Sequence, residues 1–282
     1  MDYRKKKARN KIIQHTLLLL FTLIMLYPLI WMVGSSFKES SSVFVNAHQI
    51  FPDEWHFSNF VQGWEGFGGI SFATFYKNTF IIVIIATIGS ILSSTFIAYG
   101  FARINFKFKK TWFAIMMMTM MLPFEMIMIP QYVMFNWFGW IDTYLPLILP
   151  TFFGVPFFIF LIMQFIRTIP KELDQAARID GCNTITIFTR IIVPLVMPAM
   201  MTAAIFSFYW RWDDFMAPLL YIQSPSKYPV SLALKLFSDP EAVTNWGAMF
   251  AMTTLSLLPI VIIFFIFQRY IVEGISTSGL KG

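Results

Sequence analysis

The chain is poor in the groups that soluble enzymes use. Of its 282 residues only 13% are charged, three are histidine and one is cysteine, whereas soluble domains carry about a quarter charged residues. A single cysteine, Cys182, excludes an internal disulfide. His15, His48 and His56 show no metal-ligand spacing, so no metal site is expected. No Gly-x-x-x-x-Gly-Lys-Ser/Thr run occurs, so the chain has no phosphate-cradling loop of its own. Asp213 and Asp214 are neighbours that would point about 100° apart on a helix, a poor arrangement for a two-aspartate catalyst. No catalytic residue is assigned. There is no internal repeat, and no low-complexity tract beyond a basic head.

What the chain has instead is apolar length. Hydrophobic residues make up 57% and aromatics 18%, and the mean hydropathy is +0.65. Six runs emerge at Ile12–Val33, Thr79–Ala102, Trp112–Phe135, Tyr144–Ile166, Leu195–Ile222 and Gly247–Phe267. Each can cross a hydrocarbon layer of about 30 Å, which needs about 20 residues of helix. The expectation is an all-α membrane protein with six transmembrane helices. The first run follows a basic head, but it is too long for a signal peptide and lacks a convincing cleavage site, so it reads as a retained helix.

The net charge of +6 clusters in short loops between apolar spans, which argues against nucleic acid as a partner. With the N-terminus inside, the cytoplasmic segments hold sixteen of the 21 Lys and Arg residues, and the outer segments hold only Lys38, Lys77, Lys227 and Lys235. That bias fixes the expected orientation, with both termini cytoplasmic. The expected layout is a basic segment 1–11, a membrane domain 12–268 and a tail 269–282. Within the domain, loops 37–78 and 223–246 lie outside and loop 169–194 lies inside.

The inner stretch Ile169–Pro198 is a polar island. It reads as two short helices broken at Asp180-Gly181. The first runs from about Lys171 to Ile179 after Pro170, with the small residues Ala176 and Ala177 side by side. Gly181 suits a left-handed stop, and Asn183 could cap the next turn. The second carries Ile185, Phe188, Ile191 and Ile192 at helical spacing and ends at Pro194. A short helix held across a loop with a small-residue face suits docking into a groove on a soluble partner.

Gln175-Ala176-Ala177, Asp180-Gly181, Ile191, Pro194 and Pro198 resemble the EAA loop of binding-protein-dependent ABC importer permeases. The tail from Gln268 to Gly274 and from Gly279 to Gly282 resembles the carbohydrate branch of that family, the maltose-permease (MalG-like) type. The likeness covers most of the chain and is strongest from about Met121 onward. It implies that the loop is a coupling helix docking on a cytoplasmic ATPase, through Glu172, Asp174, Gln175, Ala176, Ala177, Arg178, Asp180, Gly181 and Phe188. It implies a further ATPase contact through Gly279, Leu280, Lys281 and Gly282. The implied partners are a second, non-identical permease subunit, two ATPase subunits and an external solute-binding protein. ATP and Mg would then belong to the ATPase chains. The family's usual Glu is Gln175 here, with Glu172 and Asp174 close by. The outer stretch Ser224–Asn245 corresponds to a loop that reaches the solute-binding protein in that type.

Charges inside a membrane are costly and mark pathways or partners. The fifth run holds Tyr209, Trp210, Arg211, Trp212, Asp213 and Asp214, and the third holds Glu125. Arg211 and Asp214, three apart, would share a helix face and could pair. Alternatively these residues line a translocation path, where aromatic faces stack on sugar rings and polar groups meet hydroxyls. Arg211 could also grip a carboxylate, which points to an oligosaccharide, and an acidic one. The methionines Met116–Met118, Met120 and Met121 read as adaptable packing. Two rivals remain from the residues alone. An ion-coupled carrier would need midmembrane carboxylates and paired broken helices. A membrane scaffold would use the loop only for docking.

Overall fold

A computed structural model describes the backbone of residues 2–236 and 245–279, with side chains placed from Asn10 to Lys235 and from Asn245 to Arg269. Helices dominate: α1 (Asp2–Ser35), α2 (Ser58–Glu65), α3 (Phe72–Arg103), α4 (Lys109–Thr119), α5 (Phe124–Trp137), α6 (Pro156–Thr168), α7 (Glu172–Ile179), α8 (Met197–Trp212), α9 (Met216–Tyr221), α10 (Val230–Leu236) and α11 (Trp246–Gly279). Among the described residues the one β feature is an isolated bridge between Phe67 and Ile70. Four segments, Asn10–Ser35, Phe72–Arg103, Leu145–Thr168 and Trp246–Arg269, are each long and apolar enough to cross a bilayer, and two bent pairs bring the total to six.

One bent pair corrects an expected span. The third run is not one helix, because α4 and α5 meet at 99°. Pro123 is the cause: it lacks an N–H and sits extended at φ −67°, ψ 147°, so the turn after Thr119 cannot continue the ladder. The fifth run begins at a bend close to its expected start and stops short of its expected end. The helical segment Thr184–Leu195 meets α8 at 73°, around Val196 between Pro194 and Pro198. At its far end α8 stops at Trp212, and α9 begins only at Met216. The outer limits move too. The second span starts at Phe72 rather than Thr79, and the expected tail continues α11 as helix to Gly279.

The chain divides into two compact units, Met1–Phe72 with Leu234–Leu257, and Ala73–Ala233 with Leu258–Gly282. In the first, the loop after α1 is organised by buried polar groups. The Asn59 amide donates to the carbonyls of Ser36 and Lys38 at 3.0 and 2.8 Å. The buried Lys38 ammonium donates to the carbonyls of Gln49 and Asn46 at 2.6 and 3.2 Å. Trp31 packs edge-on against Phe250. Gly247 lies against Asn59, where a Cβ would come within 2.5 Å of the amide nitrogen, so close approach demands glycine there.

In the second unit the main core joins α3 and α6 to the segment after α7. Ile91, Ala98, Tyr99, Ile162, Met163, Ile166, Ala177, Ile187, Ile192 and Ala203 are all buried in it. Ser94 on α3 accepts the Val155 N–H at 3.0 Å, which satisfies a donor at the entry to α6, where Pro156 supplies none. Leu18, Phe21 and Ile24 on α1, Phe96 on α3 and Phe265 on α11 are large, apolar and exposed, as a lipid-facing surface requires.

Candidate functional site

The polar island folds as two short helical pieces. α7 ends at Asp180, and Gly181 adopts φ +80°, the left-handed stop. Asn183 then caps the next piece, its Oδ1 accepting the Thr186 N–H at 2.8 Å and the Thr186 hydroxyl at 3.0 Å. That piece, Thr184–Ile187, passes into a π turn at Phe188–Ile192. The Val193 N–H reaches back to the Phe188 carbonyl, and the widened turn makes room for Pro194, which has no N–H to give.

The faces of α7 differ from the sequence expectation. Ala176 and Ala177 do not form one docking face: Ala176 is exposed, whereas Ala177 is 6% exposed and belongs to the core. Asp174 is also turned inward. Its Oδ2 lies 2.9 Å from Nε of Arg103, the last residue of α3, and Nη2 of Arg103 donates to the Ile169 carbonyl at 2.7 Å. The other carboxylate oxygen of Asp174 is buried without a hydrogen-bond partner among the described residues. Asp174 is therefore not part of the exposed surface beside Gln175, whereas Glu172 and Asp180 are exposed. The outward face of α7 carries Glu172, Leu173, Gln175, Ala176, Arg178 and Ile179, the last 87% exposed. On the second piece Ile187 and Ile192 are buried, Phe188 packs on Tyr99 with centroids 5.1 Å apart, and Ile185 points out at 71% exposure. Sequence reading counted Arg103 only as one of many inner charges. The one signal for its role was its place at the end of a long apolar run.

The end of α8 forms the second polar region. Of the two readings for Arg211 and Asp214, the ion pair on one helix face is not formed within 4.0 Å. The helix stops first, and Asp214 caps α9, its Oδ1 accepting the Ala217 N–H at 3.2 Å. Among the described residues the ion pairs closer than 4.0 Å are Arg103–Asp174 and Lys227–Asp142. Arg211 and Asp214 instead both line two adjoining cavities. One of about 400 Å³ is bounded also by Phe124, Gln131, Pro150 and Tyr221. One of about 160 Å³ is bounded also by Phe158, Ser207 and Trp210. The remaining expected path residues separate. Trp212 is buried against Phe80 and Phe208. Tyr209 and Asp213 are exposed, and neither lines these cavities. Glu125 is exposed on the first turn of α5, just past the break, and its neighbour Phe124 reaches the larger cavity instead.

A third cluster went unseen in the sequence. Asp142, at φ +61°, accepts the N–H groups of Gln223 and Ser224 at 3.1 and 2.9 Å on one oxygen. The other oxygen takes the Ser224 hydroxyl at 2.6 Å and the Lys227 ammonium at 2.8 Å. These donors hold its carboxyl well below the usual carboxylate range, Lys227 first among them. Asn78 and Thr79 tie down the same stretch through Ser226, Tyr228 and Val230. The loop expected to reach a binding protein is thus fixed over Gln223–Val230, while positions 237–244 lie outside the described residues. Of the expected tail contact, Leu280, Lys281 and Gly282 also lie outside them, and Gly279 closes α11.

A helical chain with up to six candidate spans, a polar pair of short helices between them and a polar cleft at the end of α8 is built as a multi-span membrane protein. The sequence profile of binding-protein-dependent transport system inner membrane components matches residues 90–277. The chain belongs to that family. It is 34% identical over 266 residues to the probable ABC transporter permease protein YurM of Bacillus subtilis, covering 94% of this chain and 87% of that one. It is 30% identical over 261 residues to the arabinooligosaccharides transport system permease protein AraQ of Halalkalibacterium halodurans, covering 92% of each. The fold matches a subunit of a bacterial ABC transporter involved in import of the acidic polysaccharide alginate, with a TM-score of 0.81, 22% identity and coverage of 96% and 99%. That likeness is one of fold.

Proposed function

We propose that this chain is one permease subunit of an ATP-driven importer and forms part of the transmembrane path for an oligosaccharide. Relatives named for arabinooligosaccharide and diacetylchitobiose uptake support the cargo class. The partners in this reading are a second permease subunit, two ATPase subunits that bind ATP and Mg, and an external solute-binding protein. Both termini lie in the cytoplasm, as the placement of Lys and Arg argues. The observation that carries the reading is α7. It stands between apolar spans with Leu173 and Ile179 exposed beside Glu172, Gln175 and Arg178, a mixed face that suits docking on a soluble ATPase. Asp180 and Gly181 shape its end, and Asp174, Ala177 and Phe188 fasten its back to the bundle. Closure of the ATPase pair would push this helix, and the bend at Val196 would pass the motion to α8.

An acidic cargo is a second reading, favoured by Arg211 alone and opposed by Asp214 in the same cavities. The test is ATPase activity of the affinity-purified native complex in lipid, with and without pairs of solute-binding protein and sugar. Stimulation by one pair is the expected result. Absence of any co-purifying ATPase under gentle extraction would move the carrier or scaffold readings ahead.

A further inference from the structure

We infer that the cleft around Arg211 is a saccharide-binding subsite within this subunit, selecting a neutral sugar ring through its hydroxyls. The inference rests on the importer reading and adds where this chain grips its cargo and what that cargo carries.

Four observations converge. Arg211 and Asp214 are each half-buried, line both cavities and make no ion pair with each other within 4.0 Å. A guanidinium only donates and an ionised carboxylate only accepts, whereas a sugar hydroxyl does both. Two adjacent ring hydroxyls can therefore bridge the two side chains and satisfy each. Second, Ser207, one turn below Arg211, is 2% exposed, and its hydroxyl has no hydrogen-bond partner among the described residues, yet the residue lines the smaller cavity. A buried hydroxyl left unpaired is costly, and a hydroxyl of the cargo is the partner that would remove this cost. Third, Trp210 is backed by Phe158, stacked at 5.4 Å and 18°, and stays 46% exposed, a braced platform for the apolar face of a ring. Fourth, across the larger cavity the Gln131 amide oxygen accepts from Tyr221 at 3.2 Å, which orients its NH₂ group as a further donor.

The charges choose between cargo classes. Arg211 alone would favour a carboxylate. With Asp214 in the same cavities the pair sums to zero, and a uronate would bring a second carboxylate against Asp214. The larger cavity, about 400 Å³, falls within the roughly 300–1,000 Å³ typical of small-molecule sites.

The test uses the full complex with its binding protein in liposomes and three probes: arabinotriose, diacetylchitobiose and trimannuronate. Asn at position 214 keeps an oxygen for the Ala217 N–H, so Asp214→Asn spares the cap. It is expected to raise the half-saturation for the preferred neutral probe about tenfold, which corresponds to ~1.4 kcal/mol, and to improve use of trimannuronate. Ser207→Ala is expected to raise half-saturation about threefold. A diazirine derivative of the neutral probe should cross-link to the peptide spanning residues 207–214 in the wild type and lose that cross-link in Asp214→Asn. A preference of the wild type for trimannuronate, or cross-linking elsewhere with unchanged half-saturation in both variants, overturns the subsite and leaves the importer reading intact. Failure of the wild-type complex to respond to any probe counts against both.

Discussion

Asp142 and Asp174 each anchor a connection in the second unit, and their surroundings differ in kind. Asp142 collects two backbone N–H groups, a hydroxyl and an ammonium, so both of its oxygens are satisfied. Asp174 meets one guanidinium nitrogen and keeps a buried oxygen with no partner among the described residues. The first arrangement fixes the Gln223–Lys227 stretch from several directions at once. The second ties α7 to the end of α3 through Arg103, with Ile169 sharing the same guanidinium. A fully bonded carboxylate makes a rigid corner. A carboxylate held on one side makes the position of its helix depend on a single partner, here Arg103.

The largest effect is expected from breaking the second anchor. The side chains of Arg103 and Asp174 are 5% and 13% exposed, so removing one partner strands a buried charge. Arg103→Met is expected to destabilise the permease by about 3–5 kcal/mol, and the double change Arg103→Met with Asp174→Leu to recover most of that loss. Thermal unfolding of the purified complex reads both. A single variant no worse than the double would mean that the pair contributes nothing.

Next come the residues that shape the ends of α7 and its neighbour. Among the described residues no atom lies within 4 Å of where a Cβ on Gly181 would sit, but its φ of +80° is hard for a branched side chain. Gly181→Val is expected to cost about 1–3 kcal/mol through backbone strain alone, and to weaken ATPase association because it misdirects α7. Gly181→Asn, which tolerates the left-handed region, should recover part of both. Asn183→Ala removes the cap on Thr186 and should cost about 1 kcal/mol, with faster amide exchange at Thr186 as its local signature. The simplest steric test, Ala177→Trp, addresses the core instead: Ala177 is buried against Ile187 and its neighbours, so its expected effect is misfolding rather than a blocked docking face.

The turns of the polar island were legible in the sequence because their signals are local. Gly181 and Asn183 each declare a backbone conformation through their own chemistry. The number of apolar runs was legible for the same reason, since length and composition are properties of one segment. The break in the third run was not, although Pro123 was plainly there. A proline inside an apolar run fits a kink or a break equally, and only the extended backbone at Pro123 tells the two apart. Partners distant in sequence were least visible: Asp142 with Lys227, and Arg103 with Asp174. The split of Arg211 from Asp214 was hidden by extending a helix through Asp213, where the chain in fact turns to start α9.

The smallest expected effect, and the sharpest probe of the comparison, lies at Asp142. Its folded carboxyl titrates below the ordinary value of 3.8. The group therefore binds a proton less readily folded than unfolded, and its contribution is fully present above that ordinary value. It is lost only as pH falls through the depressed folded value. Between neutral pH and about pH 5 the Gln223–Lys227 loop should thus hold its amide protection unchanged once exchange chemistry is corrected for. Asp142→Asn removes the charge that holds Lys227 while keeping an acceptor for the backbone N–H groups. It should raise exchange at Ser224 modestly, and Asp142→Ala should raise it at both Gln223 and Ser224, with little change in global stability because the pair is partly exposed to solvent. If Asp142→Ala left the loop as protected as in the wild type, Asn78 and Thr79 would be the true anchors, and the rigid corner would belong to α3 rather than to the carboxylate.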